Sequence, residues 1–202
     1  MITAWNELPI KKFIEIHELV DDEDRVLKIA AVLAGISYDE ILEMPLIQTR
    51  KLIENTEFLG EKCPIGRAHG KYVLNGTTYR FNRELNDVTL AQYLDFQNCP
   101  KDLYHAHEML AIFLIPDGHK YNDGYDMAQV ADDILNYLSY EDYNSIAAFF
   151  FGSWLILFEK LEKRTMKILK KAKKDGAATE EEIATIKQNL EAIRRIRLGI
   201  IG

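Results

Sequence analysis

The sequence predicts a mainly α fold: short N-terminal helices, one small β-hairpin, and a long C-terminal helix followed by an antiparallel helix. Three observations predict it. Apolar residues recur at helical spacing along most of the chain. A single strong turn signal, Asn75-Gly76 within "KYVLNGTTYRF", marks one hairpin. From about Glu141 to Lys174 the pattern runs without a proline. With 202 residues, 48% of them hydrophobic, the chain can bury a real core. The expected organisation is an N-terminal helical group over 1–60, a loop and hairpin over 61–88, and a helical bundle over 89–202 that ends in a long helical hairpin.

The elements follow in order. Pro9 can open a helix, since its missing N–H would be unpaired there, and Ile10, Phe13, Ile14 and Leu19 follow on one face. The run Asp21, Asp22, Glu23, Asp24 resembles an acidic cluster. Carboxylates are equally at home at a helix N-terminus, where the dipole favours them, and a helix through Val26, Leu27, Ala30 and Leu33 comes next. Gly35 is a suitable stop. Ser37 with Glu40 forms a capping box for a short helix ending before Pro45. A fourth helix is expected to hold Leu52, Ile53 and Leu59. The stretch "GEKCPIGRAHG", with three glycines and a proline, is a loop.

In the hairpin, Asn75 and Gly76 supply the two positive-φ positions of a type I′ turn, and Tyr72, Leu74, Thr78 and Phe81 are strand formers. Two strands alone are marginal in water, so the hairpin must lie on helices or add to strands of another chain. Thr89 caps "LAQYLDFQ". A helix is expected from about Asp102 to Ile115, stopped by Pro116, and another over about Met127–Leu138. The long helix then runs to Lys174, and Gly152 inside it permits close approach of a neighbour or a kink. Thr179 with Glu182 caps a last helix to about Leu198, whose Ile183, Ile186, Leu190 and Ile193 step by three, four and three.

The net charge of −7 and a pI near 5.3 exclude a surface that is basic throughout. The charge is uneven. Residues 159–202 hold twelve Lys/Arg against seven Asp/Glu, so that segment is +5 and the remainder −12. Lys163, Lys167, Lys170, Lys171 and Lys174 are candidates for contact with an acidic partner or nucleic acid. A solvated helix face is the alternative, and no aromatics interleave the lysines as single-strand binders require. At the C-terminus "RRIRLGIIG" carries the apolar residues Ile196, Leu198, Ile200 and Ile201. A tail this apolar packs on its own body or inserts into a neighbour, and Trp5 in "AWNEL" raises the same question. "IAAFFFGSWLILF" has thirteen residues, short of the roughly 20 a membrane helix needs, and no apolar leader opens the chain.

Catalytic motifs are not found. His105 and His107, beside Glu108, stand two apart and point to different helix faces, whereas a helical metal pair wants a spacing of four. "YNDGYD" lacks the ligand pattern of a calcium loop and reads as a turn. Ser153 follows Gly152 without the elbow of a hydrolase nucleophile. Cys63 and Cys99 form no CxxC pair and read as two reduced thiols. No metal, cofactor or catalytic residue is assigned.

"YVLNGTTYRFNRELNDVTLAQYLDF" resembles a segment of tailed-bacteriophage proteins, above all those of crAss-like phages, in which a short hairpin precedes an "ltxxqyiDl"-type helix. "AWNELPIKKFIEI", "MLAIFLIP…YNDGYD" and "IAAFFFGSW" are similar to further pieces in the same order. The phage pattern places an arginine before the proline of "LAIFLIP", where this chain has Ile115. The resemblance implies a virion structural component or a tail-assembly factor, and no catalytic residues.

The expectation is therefore a non-enzymatic component of a tailed-phage virion, a subunit of a homo-oligomeric ring at the portal, head–tail connector or tail. It would meet other virion proteins (the portal, neighbouring ring or tail proteins) and pass through the host cytoplasm during assembly, with no membrane partner. A soluble tail-assembly chaperone is the alternative, and a metal-dependent enzyme the third reading. The expected interface residues are Tyr72, Leu74, Asn75, Gly76, Tyr79 and Phe81 of the hairpin, extending a neighbour's sheet, together with the C-terminal isoleucines and Leu198.

Overall fold

The computed structural model describes residues 1–82, 87–175, 179, 183–185, 187, 188, 190 and 191. They are mainly helical with one small antiparallel sheet, and the chain divides into two units, Met1–Ile146 and Ala147–Gly202.

The first unit opens with four short helices, α1 (Ile10–Glu18), α2 (Arg25–Ala34), α3 (Tyr38–Leu42) and α4 (Leu46–Glu54). Each boundary has a local cause. Pro9, with φ −63°, precedes α1. Gly35, in the left-handed region at φ 70°, ends α2. Its amide donates to the Val32 carbonyl and that of Ile36 to the Ala31 carbonyl, satisfying two otherwise orphaned acceptors. The predicted capping box is present at α3: the Glu40 amide donates to Ser37 Oγ and the Ser37 amide to the Glu40 carboxylate. Leu59 falls beyond α4, in the 3-10 turn Glu57–Gly60. The acidic run before α2 is absorbed by that helix, with Asp21 paired to Arg25 and Asp22 to Lys28.

Two apolar clusters hold these helices. Leu8, Ile16 and Leu33 are buried, with Trp5, Phe13, Phe58 and Tyr140 against them. The Phe13 and Tyr140 rings stack at 3.6 Å, and Phe58 meets Trp5 edge-on at 5.3 Å. Trp5 is thus packed on its own chain. Ala30, Ala31 and Ile41 form the second cluster with Leu27, Ile36 and Leu52.

The hairpin forms where the turn signal places it. β1 (Lys71–Leu74) pairs with β2 (Thr77–Phe81), Tyr72 lying opposite Tyr79, and Asn75 and Gly76 have φ 48° and 77°. The expected helix from Asp102 to Ile115 is corrected. It shrinks to α6 (Ala106–Ala111), and β3 (Leu114–Pro116) pairs antiparallel with β2 to give the order β1-β2-β3. A continuous apolar run such as "LAIFLI" satisfies helix and strand equally, and the pairing offered by β2 decides. The third strand of the sheet thus comes from this chain, which gives the hairpin the support that two strands alone lack.

Helix α5 (Leu90–Asn98) starts at a capping box between Thr89 and Gln92. Buried Gln92 also donates from Nε2 to the Ile112 carbonyl at 2.8 Å, tying α5 to the link between α6 and β3. α7 (Met127–Tyr137) is capped by Asp126, which accepts from the amides of Ala128 and Gln129. At the junction with α8 (Tyr140–Asp175) the N-terminal segment closes the unit: the Ile10 amide donates to the Leu138 carbonyl and the Tyr140 amide to the Leu8 carbonyl.

α8 has 36 residues, within a residue at each end of the expected span. In the second unit Phe150 and Leu190 are buried, and the Ile183 amide donates to the Thr179 carbonyl, the helix start that the second capping box predicts. Among the described residues no helix is long and apolar enough to cross a membrane.

Candidate functional site

Strand alternation sends Tyr72, Leu74, Tyr79 and Phe81 to one face of the sheet, where all four are buried in their own chain. All four are core side chains of their own chain. α7 covers this face, and Asp133, only 2% exposed, holds the hairpin to it. Its carboxylate accepts from Tyr79 Oη at 2.5 Å, Asn75 Nδ2 at 3.2 Å and Gln129 Nε2 at 3.0 Å. A buried carboxylate is tolerable only when its lone pairs are met by donors, and three donors meet this one. Burial, reinforced by the bond to Asp133, pushes the Tyr79 phenol far above its ordinary range, so the phenol stays a donor. Asn75 and Gly76 themselves remain exposed at the turn.

On the opposite face Lys71 and Arg80 stand directly across from each other, an arrangement that repels. Asp117, just past β3, bridges them at 2.9 Å to each. The Lys71 ammonium beside it, with Arg80, holds the Asp117 carboxyl below the usual carboxylate range. Val73 is exposed on the same face.

The histidines separate as the spacing predicts. His105 Nδ1 meets Asp102 Oδ1 at 2.7 Å. His107 lines a groove between α6 and α7 with a volume of about 420 Å³, where burial pushes its imidazole below its ordinary value. Ala111, Ala128 and Ala131 give the groove small apolar walls, with Glu108 and Asp132 also lining it. Among the described residues no three metal-ligating side chains gather. Cys63 and Cys99 are free and half-buried, and burial pushes both thiols up, which disfavours the nucleophilic thiolate.

Exposed apolar side chains are spread over the described residues, and three of them fall at the α3–α4 corner. Leu42, Leu46 and Ile47 project there, Leu46 at 83% and Ile47 at 70% exposure. Pro45 and the capping box force a tight corner that leaves these side chains outside the clusters on α2. No motif marks the corner; the only sequence signal is apolar residues on both sides of a helix-breaking proline.

In the second unit Lys163, Lys167 and Lys170 are exposed on α8, and Lys171 and Lys174 lie on the same helix. Ile196, Leu198, Ile200 and Ile201 lie outside the described residues.

No family model matches the chain, and neither the curated proteins nor the solved structures contain a match.

Proposed function

We propose that this chain is a non-enzymatic assembly protein that works by docking, and that it serves as a structural component of a tailed-bacteriophage virion, a ring subunit at the portal, head–tail connector or tail. The observation that carries docking is the α3–α4 corner. Leu42, Leu46 and Ile47 are all exposed within one short stretch of chain, and apolar surface left uncovered in this way suits a docking site. The phage assignment rests on the resemblance of the quoted segments. The separation of charge, +5 over residues 159–202 against −12 elsewhere, supports contacts between unlike surfaces, which close into rings when the rotation permits. In this reading the last helix returns antiparallel to α8. The apolar C-terminal residues then reach a neighbouring subunit, and the sheet contributes through the outer edge of β1 rather than through the side chains buried beneath it.

The α3–α4 corner also favours a second reading, a tail-assembly chaperone that holds an apolar segment of another tail protein and then leaves. Mass spectrometry of purified particles separates the two. A virion component is present at fixed stoichiometry, and localising it in a map of the particle identifies its neighbours. Absence from the particle, with abundance in the infected cell, removes the structural reading and leaves the chaperone.

A further inference from the structure

We infer that the α6/α7 groove is the acceptor half of a self-association contact, and that the occupant is the basic face of α8, around Arg164, Lys167 and Ile168, from a second copy of this chain. The inference deepens the assembly reading above and rests on it.

The argument is complementarity of both shape and charge. The groove's apolar lining is Ala111, Ala128 and Ala131 with the larger Met127 and Leu135, and Glu108 on α6 and Asp132 on α7 supply carboxylates along it. Small residues on two adjacent helices leave room for a side chain to enter from outside. Among the described residues neither Glu108 nor Asp132 has an ion-pair partner. Such a groove fits a helix that presents an apolar side chain beside cations.

α8 carries that arrangement. Ile168 is 57% exposed and so free to enter a neighbour's groove. Arg164 stands one turn before it and Lys167 three residues after Arg164, so the three share a face. Both cations are exposed. Ile168 supplies the apolar knob, and Arg164 and Lys167 supply the charges that Glu108 and Asp132 lack. The groove and the helix face differ, so the contact is heterologous: each copy offers a groove to one neighbour and a helix to another. The segment charges, −12 and +5, orient two copies in the same sense before contact.

The test uses the full chain. Sedimentation velocity at about 50 mM and 500 mM salt, where the screening lengths differ severalfold, is expected to show self-association that weakens at least tenfold at high salt. Reversing the groove (Glu108→Lys with Asp132→Lys) or the helix (Arg164→Glu with Lys167→Glu) is expected to abolish association of each variant alone. Mixing the two variants restores it, because each then meets an opposite charge in both contacts. Rescue on mixing also shows that both variants fold. A second measurement needs no substitution: carbodiimide cross-linking of a mixture of ¹⁴N- and ¹⁵N-labelled wild-type chains. Cross-links from Glu108 or Asp132 to Lys167 that join differently labelled chains support the inference. Cross-links confined to one label, or none between these residues, overturn it. Association that persists in the groove variant overturns this contact but leaves the assembly reading standing. A chain that stays monomeric at tens of micromolar overturns both.

Discussion

Asn75, at the tip of the hairpin, donates from its side chain to Asp133 on α7, 58 residues away in the chain, at 3.2 Å. The same carboxylate receives the Tyr79 hydroxyl and the Gln129 amide. One buried acid thereby fixes the position of the turn, the strand that follows it and the helix beneath. The hairpin, for which the sequence leaves open a seat on helices or on another chain's strands, is seated on a helix of its own chain at this point.

Asp133→Ala is therefore expected to destabilise the first unit by about 1–3 kcal/mol, the typical cost of leaving buried donors without an acceptor. Tyr79→Phe removes one of the three donors and is expected to cost less. Urea denaturation of the two variants, read at the same wavelength as wild type, gives the order. Equal stability of Asp133→Ala and wild type would show that the network contributes nothing.

Glycine positions separate backbone need from free space. Gly76 sits at φ 77°, so Gly76→Ala places a Cβ in the left-handed region and is expected to cost about 1–2 kcal/mol. Gly152 lies within α8, and a Cβ there meets nothing within 4 Å among the described residues. Gly152→Ala is expected to raise the stability of the isolated chain by about 0.5–1 kcal/mol. Thermal melts check both. A loss of self-association in Gly152→Ala, with the melt raised, would mean that another copy packs against this glycine.

Asp117 makes acid stability a measure of the outer sheet face. Its carboxyl titrates below its ordinary value because Lys71 and Arg80 flank it. Its contribution is complete above the unfolded carboxyl value, about 3.9, and is lost as the pH falls through the lower folded value. Asp117→Asn is expected to be less stable than wild type at pH 6, with the gap closing as the pH approaches 2. Far-UV circular dichroism across that range follows it. A gap that widens on acidification would contradict the assigned ion pairs.

Leu46→Ser together with Ile47→Ser is expected to change the stability of the isolated chain by no more than about 0.5 kcal/mol per site, as for other exposed positions. Docking through the α3–α4 corner predicts a separate effect, weaker binding to the partner or to further copies. Calorimetric melts and light scattering read the two quantities independently. Unchanged assembly in this double variant would remove the corner from the docking surface.

Much of the architecture is local and was legible. Ser37 with Glu40, Thr89, Gly35 and the Asn75-Gly76 pair each act within a few residues of themselves, and each formed the boundary it predicts. α8 was legible because no proline or loop signal interrupts it. The basic run on α8 needed only the composition. The groove was not legible, because it exists only where α6 and α7 lie together, and neither Glu108 nor Asp132 marks a motif. Asp133 was equally silent, since its three partners come from the turn, β2 and its own helix.

What the sequence determined by itself, then, is where the capped helices begin, where α2 stops at Gly35, where the chain turns back at Gly76, and how charge is divided along it. All of these depend on hydrogen bonds, φ preferences and composition within short stretches. Tertiary structure alone decided that Leu114–Pro116 is a strand, that Trp5 and Tyr72 are packed within the chain, and that Leu46 and Ile47 are left outside. Those outcomes depend on which distant surface arrives to pair or to cover, and no local preference carries that information.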